Sequence, residues 1–296
     1  MTTFYEQFPV LVHPYLHTGM CAYELGNTSA RNAIVFIGGG VGAGGPHTTP
    51  YIRTVARRLD QFPVLSFSVF EIRMRSSFVG YGTDSLENDV YHISALVKHL
   101  RVQGRRKIVL FGHSLGCQGC MAYTDYASHL TAPVDGFILL GPISTRESLP
   151  LLFWPDHQAN IDLAAEWISQ GKAADCLPNE VLPRGLFGVP MSAYRLHSLF
   201  AKGGDDDYFS SDLDNETVAR VWGMFNRPVL VLHPEKDERV PDNVDQAAQN
   251  MRYRNANPCV SPRSGLIPGA DHMITDDLPQ HWLASRVVSF LFTVAD

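Results

Sequence analysis

The sequence predicts an α/β protein: a mostly parallel, twisted sheet with helices on both faces and an inserted helical lid. Three observations carry this expectation. Short apolar, β-prone runs alternate with stretches whose apolar residues recur at helical spacing. Two of these runs, Ala33–Ile37 and Ile108–Phe111, stop at glycines. The alternation breaks between Ile143 and Phe225, where Pro150, Pro155, Pro178, Pro183 and Pro190 fall and no parallel strand is evident. Strands alternating with helices build a parallel sheet covered on both faces.

The elements follow in order. Ala33–Ile37 and Pro63–Phe70 read as strands. Leu86, Val90, Ile93, Val97 and Leu100 mark one face of a helix, with Asp84 and Glu87 as its capping box. Ile108–Phe111 is a strand and Leu115–Ser128 the helix after it. Phe137–Leu140 and Val229–Leu232 are further apolar strands. A helix over Val244–Arg252, a last strand at Ser264–Ile267 and a helix over Gln280–Thr293 complete the chain. Within the break, Ile161–Gln170 has a helical pattern. The expected division is a core of residues 1–144 and 223–296, with residues 145–222 inserted as a lid over the C-terminal edge of the sheet.

Composition narrows the function classes. The chain has 296 residues, enough for one large domain or a core with an insertion. Net charge is −6 and no Lys/Arg-rich run occurs, which argues against a nucleic-acid partner. Met1–His17 has no basic segment followed by an apolar one, and no apolar run is long enough to span a membrane. The five cysteines are an odd, scattered set. Cys117 and Cys120 form C-x-x-C, but no second pair and no nearby histidine pair supports a zinc site, so buried thiols are expected. A reducing, cytoplasmic location fits this usage. A homodimer is one assembly the sequence leaves open.

The chemistry concentrates at Gly112-His113-Ser114-Leu115-Gly116, a G-x-S-x-G between a predicted strand and a predicted helix. A serine on so sharp a turn is crowded on both sides, and glycines two residues before and after remove the clashing side chains. The turn exposes Oγ and aims the first amides of the helix at the same point, where an oxyanion would form. His113 is expected to point away from the chemistry. A bland glycine-flanked turn serine is the competing reading, so the rest of the chain must supply an acid, a base and an oxyanion pocket.

Downstream of Val229–Leu232 lies His233-Pro234-Glu235-Lys236-Asp237-Glu238-Arg239-Val240-Pro241. Asp237 is the candidate acid, with Glu235 and Glu238 as competitors. Of twelve histidines, His272 stands alone behind a short Gly-rich turn after the last strand, which makes it the candidate base. The order Ser114, Asp237, His272 is that of an α/β-hydrolase. Oxyanion donors are then the amides of Leu115 and Gly40, with Gly39 as the alternate, from the loop Gly38–Gly45. A phosphate-binding reading can be drawn through Gly40, Gly42 and Gly45, but no Walker lysine accompanies it and no clear acidic residue closes a following strand.

The motifs also resemble a particular group. Gly80–Leu86, Gly112–Gln118, Ser192–Arg195, Gly203–Leu213 and Asp237–Pro241 are similar to a fungal family of α/β-hydrolases, long filed as of unknown function, that includes intracellular esterases of fusarinine-type ferric siderophores. The resemblance implies a serine hydrolase acting on a small-molecule carboxylic ester, possessing neither metal nor cofactor. Two positions depart from the family pattern: Leu115 stands where threonine is usual, and Gly119 where an acidic residue is usual. Another ester or lactone of secondary metabolism is therefore a second expectation, and a cyclase, isomerase or retro-aldol enzyme using the same pocket a third. Arg195 and the run Asp205, Asp206, Asp207 are candidate substrate-binding residues, against a structural ion pair and a capped, solvated loop.

Overall fold

The computed structural model describes residues 7–17, 19–40, 45–152, 154, 156–182 and 188–295. Residues 41–44 of the glycine-rich loop, including Gly42, and Pro155 and Pro183 of the insertion lie outside the described residues. The strands are β1 (Leu11–Pro14), β2 (Cys21–Leu25), β3 (Asn32–Ile37), β4 (Phe67–Ile72), β5 (Ile108–His113), β6 (Gly136–Leu140), β7 (Val229–Pro234) and β8 (Gly265–Ile267). They form one sheet in the order β1-β2-β4-β3-β5-β6-β7-β8. β1 and β2 pair antiparallel, β2 joins β4 antiparallel, and every other pairing is parallel.

Every residue of β4, β5, β6 and β7 is buried, as strands covered on both faces must be. The pleat sends alternate side chains to opposite layers. Val35, Leu110, Leu139 and Val231 share a cluster with residues of α2 (Leu86–Val102), α3 (Gly116–Tyr123) and α8 (Gln246–Ala256). Phe36, Phe111, Ile138 and Leu232 share another with α1 (Pro50–Asp60) and α9 (Asp277–Ala295). The segment between β6 and β7 holds no strand among its described residues. It contains α5 (His157–Ser169), α6 (Ala193–Phe200) and α7 (Asn215–Trp222), after the short α4 (Tyr126–His129) that precedes β6. Trp154, Ile161, Met191, Leu196 and Phe200 form a separate apolar cluster there, onto which Tyr81 and Leu115 of the core pack.

Several boundaries differ from the expectation, each for a local reason. The strand predicted from Pro63 starts at Phe67, because Leu65 and Ser66 donate to Phe62 O and Pro63 O in a turn first. The helix predicted over Leu115–Ser128 breaks after Tyr123. Thr124 Oγ1 donates to Met121 O, and Asp125 caps α4 through the Ser128 amide. α2 is capped by Ser85, whose Oγ accepts from Asn88 N at 3.1 Å, and not by Asp84. β1 and β2 are additions; β1 is mostly exposed, so it carries no apolar alternation to read. Cys117 and Cys120 are buried free thiols in α3, and burial pushes both up in pKa. No helix among the described residues is long and apolar enough to cross a membrane.

Trp222 ties the end of α7 to the core. Its fully buried ring stacks on Tyr253 at 4.0 Å. Trp222→Ala should cost about 3–5 kcal/mol in urea-induced unfolding, the range for truncating a large core aromatic. A loss below about 1 kcal/mol would contradict this packing.

Candidate active site

β5 ends at His113, and Ser114 turns the chain into α3 with φ +53, a left-handed conformation that a residue with a Cβ adopts at a cost of about 1–3 kcal/mol. The strain is held from several sides. Ser114 N donates to Leu140 O at 3.0 Å, and Ser114 O accepts from Cys117 N at 2.9 Å. A Cβ on Gly112 would meet the carbonyl carbon of Gly116 at 2.6 Å, and one on Gly116 would meet that of Ile37 at 2.8 Å. Gly39 lies so close that a Cβ there would meet His113 O at 2.7 Å and collide with the Leu115 amide. Gly39, just after β3, is thus packed directly on the turn. Ser114 and Leu115 stay partly accessible, and the Leu115 amide has no acceptor among the described residues. Gly40, at φ +66, borders open space.

The loops after β7 and β8 meet beside this turn. Asp237 and His272 are both buried, and His272 Nδ1 donates to Asp237 Oδ2 at 2.8 Å. That contact places the proton on Nδ1 and leaves Nε2 with a lone pair. Asp237 Oδ1 accepts from Arg239 N. The two competing carboxylates have other work. Glu238 accepts from His272 N at 3.0 Å, and Glu235 from Gly269 N at 2.6 Å. Three acids of one loop therefore hold the other loop at three points. Gly141, at φ +55, lies beneath the pair, with room for a Cβ only 3.5 Å from His272 Cε1. No hydrogen bond joins Ser114 Oγ to His272 among the described residues.

His113 points into the sheet, yet it touches the pair. Its ring lies 4.9 Å from that of His272, and Nε2 donates to His272 O at 3.0 Å. Burial, reinforced by His272, pushes its pKa down to about 3, so it stays neutral. The signal for this role was absent from the sequence, where His113 occupies only the variable position of the pentapeptide.

A cleft opens beside the turn, lined by Gly38–Gly40, Leu115, Gly119, Tyr81, Asp89 and Arg195 among others. Leu115 and Gly119 thus both sit on its wall. Each of the candidate binding charges is engaged within the protein. Buried Arg195 donates to Tyr81 O at 3.0 Å and to Asp206 Oδ2 at 2.7 Å, and Ser198 Oγ donates to the same oxygen. Asp207 pairs with Arg146 at 3.3 Å, and Asp205 accepts from Tyr194 OH at 2.5 Å. Ser192 N donates to Gly82 O. The motifs Gly80–Leu86, Ser192–Arg195 and Gly203–Leu213 therefore meet around one buried ion pair. Asp89 is a wall residue that sequence reasoning missed. It accepts from Ser76 Oγ, and burial pushes its pKa up to about 7.

A strained serine between strand and helix, with an acid–histidine pair on late loops of a mostly parallel sheet, defines a protein of the α/β-hydrolase fold. The chain belongs to the DUF1749 family, described as a protein of unknown function, whose model matches residues 1–292. A UPF0613 protein of Schizosaccharomyces pombe is 29% identical over 97% of this chain and 98% of its own length. Fusarinine C esterase sidJ of Aspergillus fumigatus is 27% identical over 96% of this chain and 95% of its own. The solved structure of siderophore hydrolase EstB from Aspergillus fumigatus superposes with a TM-score of 0.82 at 26% identity, covering 98% of each chain.

The neutral state of His113 has a consequence for stability. Its pKa is about 3 folded against 6.5 for the free side chain, so between these values the unfolded chain binds more protons. Its contribution is fully present above 6.5 and is lost as pH falls toward 3. Buried His233, pushed down to about 4, acts in the same direction. His113→Gln, which retains an amide donor, should lose less stability than wild type between about pH 7 and about pH 4.5 in chemical denaturation. Parallel profiles would refute the assignment.

Proposed function

We propose that the protein hydrolyses carboxylic esters through an acyl-enzyme on Ser114, with His272 as base and Asp237 as the acid that orients it. The observation that carries this reading is the 2.8 Å bond from His272 Nδ1 to Asp237 Oδ2 beside a serine held at positive φ. The esterase and siderophore-hydrolase names of full-length relatives support the reaction class.

Substrate enters the cleft with its carbonyl oxygen toward the amides of Leu115 and Gly40, Gly39 being the alternate donor. Ser114 Oγ attacks the carbonyl carbon while its proton passes to His272 Nε2. The carbonyl π electrons move to oxygen, and the oxyanion is held by the two amides and the N-terminal end of α3. Asp237 stabilises the imidazolium without taking its proton. Collapse breaks the ester C–O bond, and His272 returns the proton to the leaving alkoxide. Water then attacks the acyl-serine by the same route, with His272 accepting its proton and delivering it to Ser114 Oγ. Residues 145–222 act as the lid over residues 1–144 and 223–296.

The leading substrate class is an ester of a hydroxamate siderophore, of the kind named for the relatives. A different ester or lactone is the second reading, because the cleft wall carries Leu115 and Gly119, the two positions at which the sequence departs from the pattern of the family it resembles. The pairing of Arg195 with Asp206 favours a structural role for that pair.

Ser114→Ala should lower kcat on an activated aryl ester by about 10³–10⁶-fold and abolish labelling by a fluorophosphonate probe. Undiminished turnover in that variant would end the hydrolase reading. Asp237→Asn should lose most activity while Glu235→Gln loses little, as read by steady-state kinetics; the reverse pattern would assign the acid to Glu235. Hydrolysis rates on a ferric fusarinine and on simple alkyl esters would separate the two substrate readings.

A further inference from the structure

The wall of the cleft continues into a cluster that the proposed hydrolysis does not use. Asp84, Asp89 and His92 each offer a ligand atom, and these atoms all lie within 4.8 Å of one another. Asp89 and His92 stand three apart in α2, so both project from one face of the helix. Asp84 lies two residues before its start. Asp84 is 5% exposed and His92 7% exposed. One oxygen of Asp84 is committed: Oδ1 accepts from Ser85 N at 3.0 Å and from Asn88 Nδ2 at 2.6 Å. The other, Oδ2, is buried and has no hydrogen-bond partner among the described residues. A buried carboxylate oxygen without a donor is costly, and a cation is one of the few groups that satisfies it.

The local charge points the same way. Asp89 lies in the field of Asp84, Asp206 and Arg195, and the Arg195 guanidinium is already paired with Asp206 at 2.7 Å. The carboxylates Asp84, Asp89 and Asp206 still outnumber the two guanidiniums that act on the cluster, Arg195 and Arg75. His92 is not committed either; its contact with Arg75 N, at 3.5 Å, is at the outer limit of a hydrogen bond.

We propose that Asp84, Asp89 and His92 form a binding site for one divalent transition-metal ion, Mn²⁺ or Zn²⁺ in class, beside the cleft. Two carboxylates and one imidazole suit such ions better than Mg²⁺ or Ca²⁺, which take all-oxygen sets. The ion joins Asp84, just ahead of α2, to Asp89 and His92 within the helix, and so braces the cleft wall that Asp89 lines. It takes no part in the ester chemistry, and the site stands whether or not Ser114 is the nucleophile.

The test uses the full chain stripped with a chelator and then dialysed against Mn²⁺, with retained metal measured by elemental analysis and bound Mn²⁺ by electron paramagnetic resonance. One equivalent is expected, with a rise in melting temperature on Mn²⁺ addition. Ser114→Ala should bind equally. Asp84→Asn and His92→Gln, each checked for folding by circular dichroism, should weaken binding by at least about tenfold and remove the thermal shift. His92→Gln leaves the Asp84 contacts with Ser85 and Asn88 untouched, so one folded variant remains if Asp84→Asn fails. Wild-type protein that retains no Mn²⁺ overturns the proposal. So does retention unchanged in both variants, which would put the ion elsewhere.

Discussion

The left-handed turn at Ser114 is the constraint on which the rest of the site depends. A residue with a Cβ at φ +53 persists only where its surroundings over-determine it. Here the surroundings are backbone. The amide is tied to Leu140 O, the carbonyl to Cys117 N, and the neighbouring chain approaches so closely that Gly39, Gly112 and Gly116 have no space for side chains. The turn is rigid because three strands, β3, β5 and β6, deliver it from the middle of a sheet that is buried on both faces. Removing any one of these approaches would free the serine from its position before it altered any reacting group.

The histidine is held by a different device. The loop after β7 carries Glu235, Asp237 and Glu238, and each binds a different atom of the loop after β8: Gly269 N, His272 Nδ1 and His272 N. One carboxylate sets the tautomer, while the other two fix the backbone that carries the ring. His113 adds a fourth hold through the His272 carbonyl, and burial keeps it neutral so that it adds no charge beside the imidazole. A loop this well tethered can present Nε2 in one direction, which is what proton transfer to a serine requires.

The motifs away from Ser114, Asp237 and His272 are tied to one another. The acidic run Asp205–Asp207 reaches back to Tyr194, Arg195 and Arg146, closing the long segment between β6 and β7 onto itself and onto residues following β6. Arg195 also grips the backbone at Tyr81. Such a pair is weak as a source of net stability, because desolvation offsets much of its attraction, but losing either partner strands a buried charge. This explains why charged residues that look like ligand contacts in a linear reading can be structural.

The sequence alone determined the sheet's parallel core, its covering helices and the identity of the serine, acid and histidine as candidates. These features are local: an apolar run fully buried on both faces reads as such, and a glycine-flanked serine after a strand has few other conformations available. The likeness of Asp237–Pro241 to the D-x-x-V-P signature of the acid-bearing loop placed Asp237 ahead of its neighbours. What lay beyond the sequence was decided by contacts between distant segments. The exposed strand β1 has no apolar alternation to reveal it. Nothing in His233–Pro241 states that Glu235 and Glu238 turn to backbone amides while Asp237 turns to the imidazole, since three carboxylates of one loop differ only in where the fold aims them. The burial of Arg195 against Asp206, the approach of Gly39 to Leu115, and the gathering of Asp84, Asp89 and His92 likewise depend on the packing of whole elements. Local propensity specifies which residues can do chemistry; only the tertiary structure sets the distances that let them.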